Sequence, residues 1–358
     1  MQIVLVTDAW HPQVNGVVHT WTYMVRELSA LGHQVRVIEP SGARTVPAPS
    51  EPELRLALNA RSVVARALGE SPPDALHIAT EGPLGWAARR HALARGWRFT
   101  TSYHTRFPEY LAERMRIPAA LTYAVLRYFH KPSQRILVPT QAMADELAAA
   151  GFARLQVWAR GVDGERFHPG RRDALHYPRP IWLNVGRVAP EKNLAAFLDL
   201  DLPGTKVVAG DGPALGRLRA RFPNVVWLGG IAHEALAPYY DAADVFVFPS
   251  RTDTFGLVLL EANACGTPVA AFPVTGPVNV VQPGVTGVLS EDLRAACLAA
   301  LQLDRRKVRA AVESHTWRGI AEQLLDLLVP AAPDAVPDAL PAAAQGRAVR
   351  GVEGRPQV

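Results

Sequence analysis

Two acids, Asp253 and Glu261, stand eight residues apart in the run Val245-Phe-Val-Phe-Pro-Ser-Arg-Thr-Asp-Thr-Phe-Gly-Leu-Val-Leu-Leu-Glu261. The apolar start reads as a strand, the polar middle as a short loop, and Gly256 as the start of a helix that Gly266 and Pro268 end. Behind a strand end, a helix N-terminus suits phosphate, because its first N–H groups lack intrahelical partners and its dipole favours anions. An acid set ahead of that turn can accept hydrogen bonds from sugar hydroxyls, and one on the helix can reach a ribose. The plainer alternative is a helix-terminal acid and a solvated helix face.

Other side chains fall at equivalent places. Arg187 and Lys192 follow the strand at residues 181–185, where two cations can neutralise a diphosphate or simply form a surface pair. His104 ends the strand near residues 98–103, a ligand-facing position in a parallel sheet, although a lone histidine is commonly structural. Asn15-Gly16 lies in a strand-to-helix loop, where glycine lets the backbone approach a ligand or merely marks a turn. Glu81 is either a helix-terminal acid or part of an acceptor rim. Asp199-Leu200-Asp201 matches the spacing of a metal-binding acid pair, but it sits at a helix end ahead of Pro203-Gly204 and reads as solvated.

These positions require a repeating strand–helix framework. Residues 3–6, a loop with Pro12, Asn15 and Gly16, apolar positions from Val17 to Leu31 at helical spacing, and a strand at 34–39 make a βαβ unit. Strands follow near 75–79, 98–103 and 135–138. A second series starts at 181 and continues at 206–209, 225–228, 245–248 and 268–272. The 358 residues therefore predict two doubly wound α/β domains: residues 1–163 and 181–330, joined by a His/Pro/Arg/Gly-rich linker at 164–180. The last helix of the second series is expected to pack back on the first domain. Residues 331–358, rich in Ala and Pro without an aromatic, predict a disordered tail.

With 49% hydrophobic and 20% charged residues, the chain can bury a core and is not a disordered polymer. Its net charge of +5 admits nucleic acid, an anionic membrane or a phosphorylated ligand as partner. Residues 1–170 hold 19 Lys/Arg against 14 Asp/Glu, whereas residues 171–330 hold 16 of each, so the excess lies in the first domain. Two cysteines, Cys265 and Cys297, build neither a disulfide framework nor a metal spacing, which fits a reducing cytoplasm. The start reads directly into a strand rather than an export signal, and the apolar stretch at 117–129 is interrupted by Arg127 and falls short of a membrane span.

The sequence resembles the retaining glycosyltransferases of family 4, whose GT-B fold sets two Rossmann-like domains face to face across a cleft. Their Glu-x7-Glu signature appears here as Asp253-x7-Glu261, the first acid being one methylene shorter. Asn15-Gly16-Val17, Ser102-Tyr103-His104-Thr105, Arg160-Gly161-Val162-Asp163, Gly186-Arg187, Glu191-Lys192-Asn193, Gly210-Asp211-Gly212-Pro213 and Pro273-Val274-Thr275-Gly276-Pro277 carry the likeness across nearly all of residues 2–328. They place it nearest the bacterial α-mannosyltransferases and sulfoquinovosyl-diacylglycerol synthases. The resemblance implies that Asn15, Gly16, Val17, Gly186, Arg187, Lys192, Gly212, Thr254, Phe255, Gly256, Leu257 and Glu261 hold the donor. It implies that His104, Arg187, Lys192 and Asp253 serve the reacting centre, with no metal or other cofactor required. GDP-mannose leads as donor, and a lipid or glycan hydroxyl is the implied acceptor, with no nucleic acid.

Alternatives share parts of this pattern. A nicotinamide dehydrogenase would need Gly-x-Gly-x-x-Gly after the first strand, where the chain has Trp10-His-Pro-Gln-Val-Asn-Gly-Val. A nucleotide-sugar epimerase or phosphorylase, or a non-catalytic sugar-nucleotide sensor, would fit the two domains. Residues 106–135 carry Arg106, Arg114, Arg116, Arg127, Lys131 and Arg135 against Glu109 and Glu113, interleaved with aromatic and aliphatic residues. Such a stretch can rest on an anionic membrane at the inner face, or it can bury an apolar side beneath solvated arginines.

Overall fold

The computed structural model describes residues 1–13, 15–47, 55–106, 108 and 118–332. Most of the expected tail, and residues 107 and 109–117 of the basic aromatic stretch, lie outside the described residues. β1 (Gln2–Val6), α1 (Gly16–Ala30) and β2 (Gln34–Ile38) form the opening βαβ unit. A hairpin of β3 (Thr45–Pro47) and β4 (Arg55–Ala57) leads to α2 (Ala60–Leu68). Then come β5 (Ala75–Ile78), α3 (Pro83–Ala94), β6 (Thr100–Ser102), α4 (Ala119–His130), β7 (Ile136–Val138), α5 (Gln141–Ala149) and β8 (Leu155–Val157).

The second series runs β9 (Ile181–Val185), α6 (Leu194–Leu198), β10 (Thr205–Ala209), α7 (Leu215–Arg221), β11 (Val226–Gly229), α8 (Ala237–Ala242) and β12 (Val245–Phe248). It continues with α9 (Leu257–Ala264), β13 (Val269–Ala271), α10 (Pro277–Val280), β14 (Gly287–Leu289), α11 (Leu293–Ala300), α12 (Arg305–Ala310) and α13 (Trp317–Leu327).

Both sheets are parallel, ordered β2-β1-β5-β6-β7-β8 in the first domain and β11-β10-β9-β12-β13-β14 in the second, which has one strand more on the near side of its first strand. Strands β1 and β9 are flanked by neighbours reached in opposite directions, so each marks the point where strand order reverses. Ligands in open α/β sheets bind outside the carboxyl ends of strands at that point. The loops leaving β1 and β5, and those leaving β9 and β12, are therefore the ones that build a site. Strands such as Ile181–Val185, apolar except for Asn184, and Val245–Phe248 are buried along their whole length, as a sheet covered on both faces requires.

Four strands were not expected. The edge strands β8 and β14 and the hairpin strands β3 and β4 are three residues each, too short to show a period. The stretch 164–180 is bound to the second domain along its length. Phe167 and Leu175 enter that core, Asp241 accepts from the amides of Gly170 and Arg171 at 2.8 and 2.6 Å, and Asp244 pairs with Arg179 at 2.8 Å. At its far end the chain returns to the first domain. Trp317 of α13 stacks on Tyr23 of α1 with ring centroids 4.8 Å apart, and the Ala331 amide donates to Asp74 O at 3.0 Å. Asp199 ends α6 and pairs with Arg221 at 2.8 Å on the surface.

Candidate functional site

Leaving β9, the chain passes Gly186 and Arg187, makes a 3-10 turn at Pro190–Lys192 and bends at Asn193, a left-handed residue with φ 51°. Asn193 Nδ2 donates to Pro249 O at 3.1 Å, tying this loop to the one that leaves β12. The backbone of Val188 bonds to Asp211 O at 2.8 Å and accepts from Ala214, so the turns carrying Gly186 and Gly212 lie against each other. Lys192 Nζ reaches across to Asp253 Oδ1 at 2.6 Å, with both side chains mostly buried. Burial opposes charge on Asp253, but the Lys192 ammonium overrides it and holds the carboxyl below its ordinary range. Arg251 turns away, stacked 3.8 Å from the centre of the Phe272 ring and paired with Glu291 at 2.7 Å.

Phe255 is buried in the second domain's core and anchors the loop just before α9. Gly256, at φ 88°, makes the turn into that helix, and a Cβ there would press to 3.0 Å from Leu259 Cδ1. Among the described residues, no side-chain cap is made at the N-cap of α9, Gly256. Directly opposite stands the first turn of α1: a Cβ on Gly16 would lie 3.8 Å from Leu257 Cδ1, and Val17 and Leu257 pack in one apolar cluster. Two helix N-termini, one from each domain, thus converge on the cleft beside Lys192. Asn15 spends its side chain as the cap of α1, Oδ1 accepting from the amides of Val17 and Val18 at 3.0 Å each.

Glu261, one turn into α9, is 6% exposed. His233 Nε2 donates to its Oε1 and Tyr240 Oη to its Oε2, both at 2.8 Å. Burial works against a charged His233, yet the Glu261 hydrogen bond and charge raise its pKa above the ordinary imidazole value. Burial and Glu261 push the Tyr240 hydroxyl well up, so it stays a donor.

His104 follows β6 in the first domain. The Trp21 indole N–H donates to its Nε2 at 3.0 Å, and the Arg160 guanidinium lies 3.0 Å from its Nδ1. Burial and the Arg160 charge hold the ring neutral, and a neutral imidazole has one acceptor nitrogen, so it satisfies one of these donors at a time. Across the cleft, Thr254 Oγ1 donates to His104 O at 3.0 Å, joining the two domains through a loop residue and a strand end. Glu81 turns inward to His130 at 3.2 Å, both side chains nearly inaccessible.

The sequence reading did not single out His19, His233, Tyr240 or Asp8. Asp8 lies two residues past the end of β1 and is buried; burial raises its pKa to about 6, while its oxygens accept from the Leu84 amide and the Thr80 hydroxyl at 2.9 Å each. Its position at the carboxyl end of a switch-point strand was the available signal. No local pattern marks His233, which only the fold brings to Glu261. Among the described residues no cluster of three metal-ligating side chains occurs.

Comparison with known proteins finds matches over both domains. A family model described as Glycosyltransferase Family 4 matches residues 14–166, and one described as Glycosyl transferases group 1 matches residues 179–303. The chain is 30% identical to a GDP-mannose-dependent alpha-mannosyltransferase of Mycobacterium tuberculosis, covering 91% of this chain and 95% of that one. It is 28% identical to the sulfoquinovosyl transferase SQD2 of Arabidopsis thaliana over 87% of this chain and 70% of that one. In fold it matches the sucrose-phosphate synthase of Thermosynechococcus elongatus with a TM-score of 0.76, at 22% identity over 91% of this chain and 98% of that one.

Proposed function

Starting from the fact that the chain belongs to the family 4 glycosyltransferases and has their GT-B fold, we propose that it transfers mannose from GDP-mannose to a lipid or glycan hydroxyl, retaining the anomeric configuration. The observation that carries the site assignment is the convergence of the α1 and α9 N-termini beside Lys192. The donor's diphosphate lies there, its charge met by Lys192, Arg187 and the first-turn amides of α9. Glu261 accepts from the ribose hydroxyls. Asp253 and His104 meet the sugar, Asp253 with one oxygen on Lys192.

In the reaction the acceptor oxygen bonds to the anomeric carbon as the bond to the β-phosphate oxygen breaks. The acceptor proton passes to the departing diphosphate. Fixed cations and helix amides stabilise the charge that develops on that leaving group, and they need no reorganisation at the moment of transfer. The relative's GDP-mannose dependence supports the choice of base and sugar. A thermal-shift screen of nucleotide sugars tests it: GDP-mannose should raise the melting temperature most, and a larger rise with UDP-glucose would replace the base and the sugar together.

The acceptor side supports a lipid. Leu121, Val125 and Tyr128 form one exposed stripe on α4, at 59%, 47% and 62% exposure, while Leu126 and Phe129 bury the opposite side. No described helix is long and apolar enough to cross a membrane. We therefore place the enzyme at the cytoplasmic face of an anionic membrane, resting on this stripe. Flotation with phosphatidylglycerol vesicles should carry the protein upward and fail for the triple serine variant of Leu121, Val125 and Tyr128. Equal flotation of both would remove α4 from the contact.

A further inference from the structure

His233 has no part in the leaving-group chemistry, yet its side chain is engaged by both domains. Its Nε2 proton points at Glu261 Oε1 at 2.8 Å. One face of its ring is covered by His19 of α1, with centroids 4.3 Å apart and planes 36° from parallel. Phe167 meets it edge-on at 5.3 Å. Arg166 and Glu234 are the remaining charged groups around it, the pair 3.9 Å apart. Burial and the neighbouring His233 charge lower the His19 pKa to about 4, so His19 contributes a neutral ring to this stack.

A buried carboxylate must have its lone pairs satisfied, and one that is to bind a diol must keep some of them aimed at the ligand. Tyr240 takes one direction on Oε2 and His233 one on Oε1, which fixes the plane of the Glu261 carboxylate and leaves the other directions for hydroxyl donors. Without His233 the carboxylate would be held at one oxygen only and free to turn about its terminal bond. Because His19 comes from the first domain, the hold on this acid of the second domain is backed from across the cleft.

We propose that His233 is the positioning residue for the donor's ribose: it aims Glu261 at the sugar diol, with His19 seating His233 from the opposite domain. The inference rests on the reading of Glu261 as the ribose acid, and it extends that reading to a side chain outside the signature. Its consequence is discrimination between ribose and deoxyribose nucleotides rather than general affinity.

The test is equilibrium binding of GDP, or UDP where that binds more tightly, against the matching 2′,3′-dideoxynucleotide, using the full chain. The wild-type protein should prefer the ribose form by roughly tenfold or more, as expected for hydroxyls on a buried carboxylate. His233→Ala should bring that preference to within about threefold of unity while changing dideoxynucleotide affinity less than about twofold. His233→Gln, whose amide N–H can still donate to Glu261, should recover part of the preference, and it serves as the folded control should the alanine variant melt early. His19→Ala should fall between the two. If His233→Ala weakens both nucleotides by one common factor, or keeps the wild-type preference, the positioning role is overturned. If the wild-type protein itself shows no preference, the ribose reading of Glu261 fails, and the role of His233 falls with it.

Discussion

The two walls of the cleft differ in how they hold charge. On the second domain's wall, charges are kept and matched: Lys192 against Asp253, and Glu261 held by His233 and Tyr240. In the first domain, burial works against charge. It keeps His77 and His104 neutral, lowering His77 to about 3 and His104 well below the imidazole range, and it moves Asp8 up to about 6 and Arg160 down to about 9, values that leave these two charged at neutral pH. Arg160 directs its donors to the carbonyls of Trp158 and Ala159 and to His104. Net charge runs the other way, because the first domain carries the excess of Lys/Arg and the second is balanced. Overall charge therefore does not locate the paired charges of the second domain, which are held by geometry.

The contrast can be broken first at Lys192. Lys192→Ala removes the cation from the leaving group and strands Asp253, so kcat/KM should fall about a hundredfold to a thousandfold. Steady-state kinetics with the donor varied would check this, with circular dichroism as the fold control. A loss below tenfold would move the phosphate site away from the charged wall.

A smaller change should follow at the hydrogen bond between the walls. Thr254→Ala deletes the donor to His104 O, a neutral hydrogen bond worth about 1 kcal/mol, and should lower kcat/KM about fivefold with little change in melting temperature. An unaltered kcat/KM would mean that this link does not serve the closed cleft.

Smallest is the expected pH effect. His233 has a raised pKa in the folded protein, so its pairing with Glu261 contributes fully below the ordinary imidazole value and is lost as pH rises through the raised one. His19, Arg166, Glu234 and Glu261 face it, and His19 stays neutral over this range. Ribonucleotide affinity measured from pH 6 to 9 should fall a few-fold with rising pH, and the fall should vanish in His233→Gln.

Much of this was legible in the sequence because it is local. Gly256, Asp253 and Glu261 sit within one strand–turn–helix unit, and their spacing alone places an acid on each side of a helix N-terminus. Arg187 and Lys192 follow a five-residue strand, apolar except for Asn184, that announces a covered parallel sheet. What could not be read is what crosses between units. Asn15 looks like a ligand residue in the sequence, and the structure adds that its side chain caps α1, because a cap and a loop ligand have the same local pattern. His233 and Glu261 lie 28 residues apart on different elements, and His19 reaches them from another domain. Nothing periodic connects such residues; only the facing of two sheets does.

The central claim is sugar transfer at the convergence of two helix N-termini, and one assay meets it directly. Purified protein incubated with radiolabelled GDP-mannose and a bacterial lipid extract should move label into the organic phase, in a product cleaved by α-mannosidase and not by β-mannosidase. The Lys192→Ala protein should move little. Label that stays water-soluble as an epimerised nucleotide sugar or free sugar, or organic-phase label undiminished by Lys192→Ala, would contradict the account.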